Sequence, residues 1–422
     1  MRLIKTLKRG LWLSAWMTLV GCSSSNWHSM TLPSDKAVEA SLEASPASEQ
    51  ILQTESQTFT LARMPEAIRP CCAFGNAQRV RIGSVIIPYF RYANTVGIND
   101  LGAHGYEAGT LSLQRPKPTS RRSSEGNGQM YTLRGGFIDI AHVRDTADNA
   151  IALYQRIYPQ LGQAQVIELP YEIGPREIRL KAFDSSMLNP QQRRELAAHL
   201  ATWLAYSMAE AHELAQWHGY RSWRPWSESV SAYSPEDIYS NMLGAKIAYA
   251  LLINELASNR DIYNTHMTQW LKATLQSLEP VSVKQSNMLF DAVDGLWWDS
   301  SVAMPSKFML LKRHYAMGNQ QSPYLVTEEI ARAHPAWVMV EDRYASAPPA
   351  LTLALPETVH GFELKQLAEQ WLVVDSKFAA SFAHIPSELW AHGFNQESFG
   401  TIAGYNRQQD ERELKDWQET RQ

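Results

Sequence analysis

Residues 134–157 read Arg134-Gly-Gly-Phe-Ile-Asp139-Ile-Ala-His142-Val-Arg144-Asp145-Thr-Ala-Asp148-Asn-Ala-Ile-Ala-Leu-Tyr154-Gln-Arg-Ile157. The first part closes a β-rich run that starts near Met130. The second places Val143, Ala147, Ala150, Ile151, Tyr154 and Ile157 on one face at about 100° per residue, the signature of an amphipathic helix. A strand thus gives way to a helix within a few residues, and the glycine pair permits close backbone approach at the change.

Outward from this stretch, helical periods run over 190–218, over 261–277 and over 282–297. Ser234-Pro235-Glu236-Asp237 reads as another helix start, with a Ser cap, Pro at the first position and acids in the first turn; that helix extends to about residue 257. Strands are expected from Gly83, over 165–170 and 177–183, and later over 308–315 and 351–355, with a further helix near 363–371. The basic, breaker-rich run 114–128 reads as a solvated loop, the alternative being a phosphate-binding lid. The fold class is α+β and predominantly helical, a single large domain with short strands in its N-terminal and C-terminal parts. Its expected limits are 61–405, followed by a charged C-terminal tail over 406–422 that forms a solvated helix.

The chain has 422 residues, 45% of them hydrophobic and 19% charged, enough to bury a sizeable core, and this excludes a mainly disordered or collagen-like protein. The net charge is -4; without residues 1–21 it is -8, from 35 basic against 43 acidic groups. Such a balance argues against nonspecific nucleic-acid binding. Residues 1–21 form a signal peptide: Arg2, Lys5, Lys8 and Arg9 precede an apolar run over 11–20 that is too short to span a bilayer. The run ends in Leu19-Val20-Gly21-Cys22, which resembles the bacterial lipobox, so Cys22 is the expected lipidation site. Ser23 rather than Asp follows it, which by resemblance to the sorting rule of double-membrane bacteria indicates the outer membrane, facing the periplasm. Residues 22–60 are rich in Ser, Glu, Ala and Gln and read as a flexible tether with a reach of roughly 30–40 Å.

Four sets of residues could carry chemistry. His142 and Asp145, three apart on a helix, could share a metal ion or a proton; alternatively they form a capped first turn with a surface ion pair. On the 190–218 helix, Glu195, His199, Tyr206, Glu210, Glu213 and Trp217 form one polar stripe on an Ala/Leu-rich helix, where an enclosed carboxylate would serve as an acid or a metal ligand. His212-Glu213 invites comparison with the zincin H-E-x-x-H motif, but His212 and His218 are six residues apart and off a common face. The aromatic run Trp217, Tyr220, Trp223 and Trp226 could stack on sugar rings or simply cover the end of the helical core. Cys71-Cys72 could close a vicinal disulfide in an oxidising compartment.

The run 134–148, with Arg69-Pro-Cys-Cys-Ala-Phe-Gly75 before it and Ser231-Ala-Tyr-Ser-Pro-Glu-Asp-Ile-Tyr-Ser-Asn241 after it, resembles a bacterial lipoprotein family known only as a domain of unknown function. The resemblance spans most of residues 65–340. It implies an envelope location and carries over no catalytic residue. The expected protein is therefore lipid-anchored in the cell envelope, with a membrane partner through its lipid and no nucleic acid. Its expected activity is hydrolysis of cell-wall or glycan material by His142, Asp145, Glu210 and Glu213, with a divalent metal on His142, Asp145 and Glu213 and a glycan on the aromatic run. The alternative is a non-catalytic lipoprotein that binds a wall component or an envelope partner.

Overall fold

The computed structural model describes residues 32–43, 64–66, 68–69, 73–90, 95–109, 125–222 and 227–421, and from Leu32 onward the chain forms one compact unit. Residues 1–21, read from the sequence as a signal peptide, and Cys22, Cys71, Cys72, Trp223 and Trp226 lie outside the described residues. Helix α1 (Asp35–Leu42) falls inside the segment read as tether. Ser34 caps it by accepting the Ala37 N–H at 3.2 Å, and Val38 and Leu42, four residues apart, bury their side chains in the main core. The buried Lys246 ammonium holds the other end, donating to the Glu43 carbonyl and, at 3.0 Å, to that of Ala354. A polar composition concealed one apolar pair at helical spacing, and that pair is enough to dock eight residues.

Strands β1 (Gln78–Ile82) and β2 (Val85–Phe90) form an antiparallel hairpin. β3 (Gln129–Thr132) and β4 (Gly136–Asp139) form a second, with Tyr131 opposite Phe137 and both strands buried throughout. Gly136 has φ +68, and a Cβ there would lie 2.2 Å from the Tyr324 carbonyl oxygen, which is the close backbone approach that the glycine pair announced. Helix α2 (Ile140–Ile157) follows directly. After β5 (Gln165–Glu168) and β6 (Arg176–Leu180) comes α3 (Pro190–Trp217), opened by an Asn189/Gln192 capping box with Pro190 at its first position and about 42 Å long. Helix α4 (Asp237–Ile253) is buried at every residue, as expected of a helix that is apolar nearly all round. Helices α2, α3 and α4 pack on one another and make the main core, and α5 (Arg260–Ser277) flanks α4; α6 (Val283–Ala292) packs on β3 in a second cluster with Phe74, Tyr131 and Phe137.

Strand β7 (Ala303–Met304) pairs in parallel with β1. Strands β8 (Ala368–Leu372) and β9 (Phe394–Asn395) extend β5 and β6 into an antiparallel sheet of order β9-β8-β6-β5. Of the helix expected near 363–371, one turn over Leu364–Leu367 forms; Ala368, Gln370 and Leu372 then alternate inward, and the exposed edge of β6 recruits them as a strand. The strand expected over 308–315 is instead a 3-10 turn over Lys307–Met309 and irregular chain, and that over 351–355 shrinks to Leu353–Ala354. Helix α7 (Phe399–Arg421) contains the charged tail, but its first turns are built in: Asp410 is buried and accepts from Trp217 Nε1 at 3.0 Å and from Tyr315. The architecture is α+β and predominantly helical, and no helix of the described residues is long and apolar enough to cross a membrane.

Helices α2 and α4 approach closely, and a Cβ on Gly244 would lie 2.3 Å from the Val143 carbonyl oxygen. Gly244→Val should therefore force the two helices apart and cost about 3 kcal/mol. The check is a lower urea midpoint at unchanged slope; an unaltered midpoint would show that the helices do not meet there.

Candidate metal centre

Two helix N-termini converge here. Asp139 ends β4 and caps α2, its Oδ1 accepting from the N–H groups of Ala141 at 2.7 Å and His142 at 3.3 Å. The Asp139 N–H donates to Ser240 Oγ on α4 at 2.9 Å, which fixes the strand end against that helix. Within the first turn of α2, His142 brings Nε2 to 3.2 Å from Oδ1 of Asp237, the first residue of α4. Potential ligand atoms of Asp139, His142 and Asp237 all lie within 4.8 Å of one another, and the three residues are buried. Each carboxylate sits at the positive end of a helix, which favours its ionised form.

Helix α3 adds Glu213. Its Oε2 accepts the Tyr233 N–H at 2.6 Å, and its buried Oε1 has no hydrogen-bond partner among the described residues. Tyr233 delivers that N–H from φ +58, an uncommon conformation for an aromatic residue. Glu236, beside Asp237, is satisfied by Gln129 Nε2 and by Ser234 Oγ at 2.5 Å. Asp237 accepts no hydrogen bond on either oxygen among the described residues. Burial, then the charges of Glu236, Glu213 and Asp139, push the Asp237 carboxyl well above the usual carboxylate range. Burial likewise raises Glu213, against the opposing pull of His142 and His212. Burial also raises Glu236, with Asp139 and Glu213 adding to it. Four acidic groups thus lie close enough for their charges to repel one another, with His142, His212 and Arg313 opposing them at Glu213. The His142 side chain is 10% exposed whereas that of Asp237 is fully buried, so solvent approaches from the imidazole edge.

A second constellation lies further along α2. Arg69 pairs with Glu125 (2.7 Å), Asp145 (2.6 Å) and Asp148 (3.0 Å). His104 Nε2 meets Asp148 Oδ1 at 2.9 Å, Tyr263 OH donates to the same oxygen at 2.7 Å, and Arg144 meets Glu125 at 3.2 Å. These groups, buried apart from the part-exposed Asp145, are mutually paired, so they form an ionic lock that fastens the 69, 104 and 125 segments to α2.

The structure separates the residues singled out from sequence. His142 meets Asp139 and Asp237, and Glu213 stands outside that trio, near enough for its charge to couple with His142 and Asp237. Asp145 turns about 60° away on the wheel and is held on two sides by Arg69, whose backbone N–H it also accepts at 2.9 Å. Glu210 accepts the Gly318 N–H at 2.6 Å, and burial raises its carboxyl to about 7. The polar stripe of α3 fans out because it spans some 33 Å: Glu195 meets His360 at 2.7 Å, His199 stacks on Tyr249, and Tyr206 donates to the Gly318 carbonyl at 3.1 Å. Trp217 is buried against Asp410 and Lys307, and Tyr220 is half-buried edge-on to His212. Asp139, Asp237 and Glu236 were legible only as helix-start acids. The Asp-x-x-His spacing of 139 and 142 was the one local signal that a cap could also face a ligand.

A family model described as a protein of unknown function, DUF4056, matches residues 59–327, and the chain belongs to that family. No curated protein and no solved structure matches the chain.

The ionic lock sets the acid stability of the fold. Against the upward push of burial, Arg69 and then Arg144 bring Glu125 down to about 2, and Arg69 and His104 hold Asp148 below the usual carboxylate range. Depressed folded values mean stabilisation that is complete above the ordinary carboxylate range, about pH 4.5, and lost as pH falls towards 2. Arg69→Met should cost about 3–5 kcal/mol at pH 7 by leaving buried carboxylates unpaired, and should flatten the loss of stability across that acid window. Urea unfolding of both proteins at pH 7, 5 and 3 reads this; parallel pH profiles would show that Arg69 does not hold the lock.

Proposed function

We propose that this protein is a lipid-anchored envelope hydrolase whose centre is a divalent cation on Asp139, His142 and Asp237. The observation that carries the reading is the approach of three ligand-type side chains within 4.8 Å, with both oxygens of Asp237 lacking a hydrogen-bond partner among the described residues. Buried polar atoms in native proteins are normally satisfied, so such oxygens in a His-containing cluster mark a place for a cation. One imidazole nitrogen and two carboxylate oxygens suit zinc or manganese, and three protein ligands leave a position for water. When bound, the cation would lower the pKa of that water and polarise the scissile bond.

Glu213 is the partner in proton transfer. The Tyr233 N–H anchors one of its oxygens and the other is uncommitted among the described residues, so Glu213 would take the proton as water attacks and return it to the leaving group. Glu236, oriented by Gln129 and Ser234, adds negative charge beside Asp237 that a cation would offset. The envelope address follows from residues 1–22 and the tethering Cys22, and the wall-glycan substrate class follows from that address. The complete burial of Asp237 and Glu213 favours a second role, a structural cation that pins α2 to α4 in a non-catalytic envelope protein.

Metal analysis of the purified full chain should find about one zinc or manganese per molecule, and Asp237→Asn should empty the site. Glu213→Gln should retain the metal and slow release of soluble fragments from isolated cell wall by about 100-fold or more. Metal retained with turnover untouched by Glu213→Gln would remove Glu213 from the chemistry. Absence of metal from the parent chain would remove the centre itself.

A further inference from the structure

We propose that the β1–β2 hairpin is an amphipathic foot that lies in the surface of a phospholipid bilayer containing anionic headgroups. The hairpin is fixed at its base, where Val80 packs with Ala73, Val302, Met304 and Met309. Beyond that point the burial ends: every residue from Arg81 to Ile87 is exposed. Among them are four β-branched apolar side chains, Ile82, Val85, Ile86 and Ile87, each 39–62% exposed. The turn at Gly83 and Ser84 is open, since Gly83 has φ +61 and a Cβ on it would meet nothing within 4 Å.

The register sorts these residues by face. Ile82 lies opposite Val85 and Val80 opposite Ile87, so one face continues the buried apolar base outward as Ile82, Val85 and Ile87. Arg81 lies opposite Ile86, and Arg79 shares its side, so the other face carries two exposed guanidinium groups. Residues 78–91 contain three arginines and no acid, in a chain whose overall charge is -4. An apolar face with arginines on its back is the arrangement that seats a peptide segment at the acyl boundary while the cations reach the headgroups. A second protein adding a strand is disfavoured, because β2 is the outer strand of its sheet and Pro88 removes an N–H donor from it. The foot acts separately from any acyl chain on Cys22 and would set the orientation of the folded unit on the membrane.

The test uses residues 23–422, which lack Cys22 and retain the entire compact unit that begins at Leu32. In flotation with vesicles of phosphatidylglycerol and phosphatidylcholine, the chain should bind in low salt. Binding should fall at least tenfold in Val85→Asp/Ile87→Asp, at an unchanged thermal midpoint. Arg81→Glu should weaken binding to these vesicles and leave that to pure phosphatidylcholine unchanged. The proposal is overturned if the parent chain does not float, or if the double variant floats equally well. It is also overturned if the parent sediments as a dimer that the double variant abolishes, since the face would then belong to a second copy.

Discussion

The first turns of α2 and α4 are held together by contacts that leave little freedom. The Asp139 N–H reaches Ser240 at 2.9 Å, Thr146 donates to Asn241 at 2.7 Å, and Gly244 lets the Val143 carbonyl approach. From this one juxtaposition follow the position of His142 against Asp237, the cap on α2 and the closed space into which Glu213 projects. Acidic side chains at helix starts ordinarily face water, where they stabilise the helix by a fraction of a kcal/mol to about 1 kcal/mol. Here the same residue types face one another, which costs far more than a cap returns unless a positive charge joins them. The packing of two helices is thus also what brings these side chains together.

The two constellations on α2 handle buried charge in opposite ways. In the lock, Arg69 and Arg144 stand among Glu125, Asp145 and Asp148, and each of these acids pairs with a guanidinium group. Around Asp139, His142 and Asp237 the acids outnumber the cations, and both oxygens of Asp237 and Oε1 of Glu213 have no hydrogen-bond partner among the described residues. The contrast is one of charge balance: guanidinium groups answer the acids of the lock, and carboxylates dominate the other cluster. Their adjacency on one helix means that the lock also holds the backbone from which His142 projects.

Much of this was readable from the chain. The strand-to-helix switch at 134–157 and the helical period over 190–218 are local patterns, and the structure follows them. His142 and Glu213 stood out because a polar group on an otherwise apolar helix needs a partner. What sequence alone conceals is which partner. Asp145 is as close to His142 on a helical wheel as a ligand should be, yet Arg69, 76 residues earlier, takes it. Asp237 looks like a helix-start acid because a capping acid and a ligating acid have the same local sequence; Ser234 and Gln129 bind Glu236 instead of the helix end, and the start moves to Asp237. The tether hid α1 for a related reason: two apolar residues vanish in a composition average but suffice once a core is there to receive them.

The central claim is that a cation belongs between Asp139, His142 and Asp237. Anomalous diffraction at the zinc or manganese absorption edge, from crystals of the full chain grown with that metal, tests it directly. The account predicts one peak roughly 2.0–2.2 Å from an oxygen of each aspartate and from a nitrogen of His142. Density without a peak, with the Asp139 and Asp237 carboxyl groups hydrogen-bonded directly to each other, would contradict it.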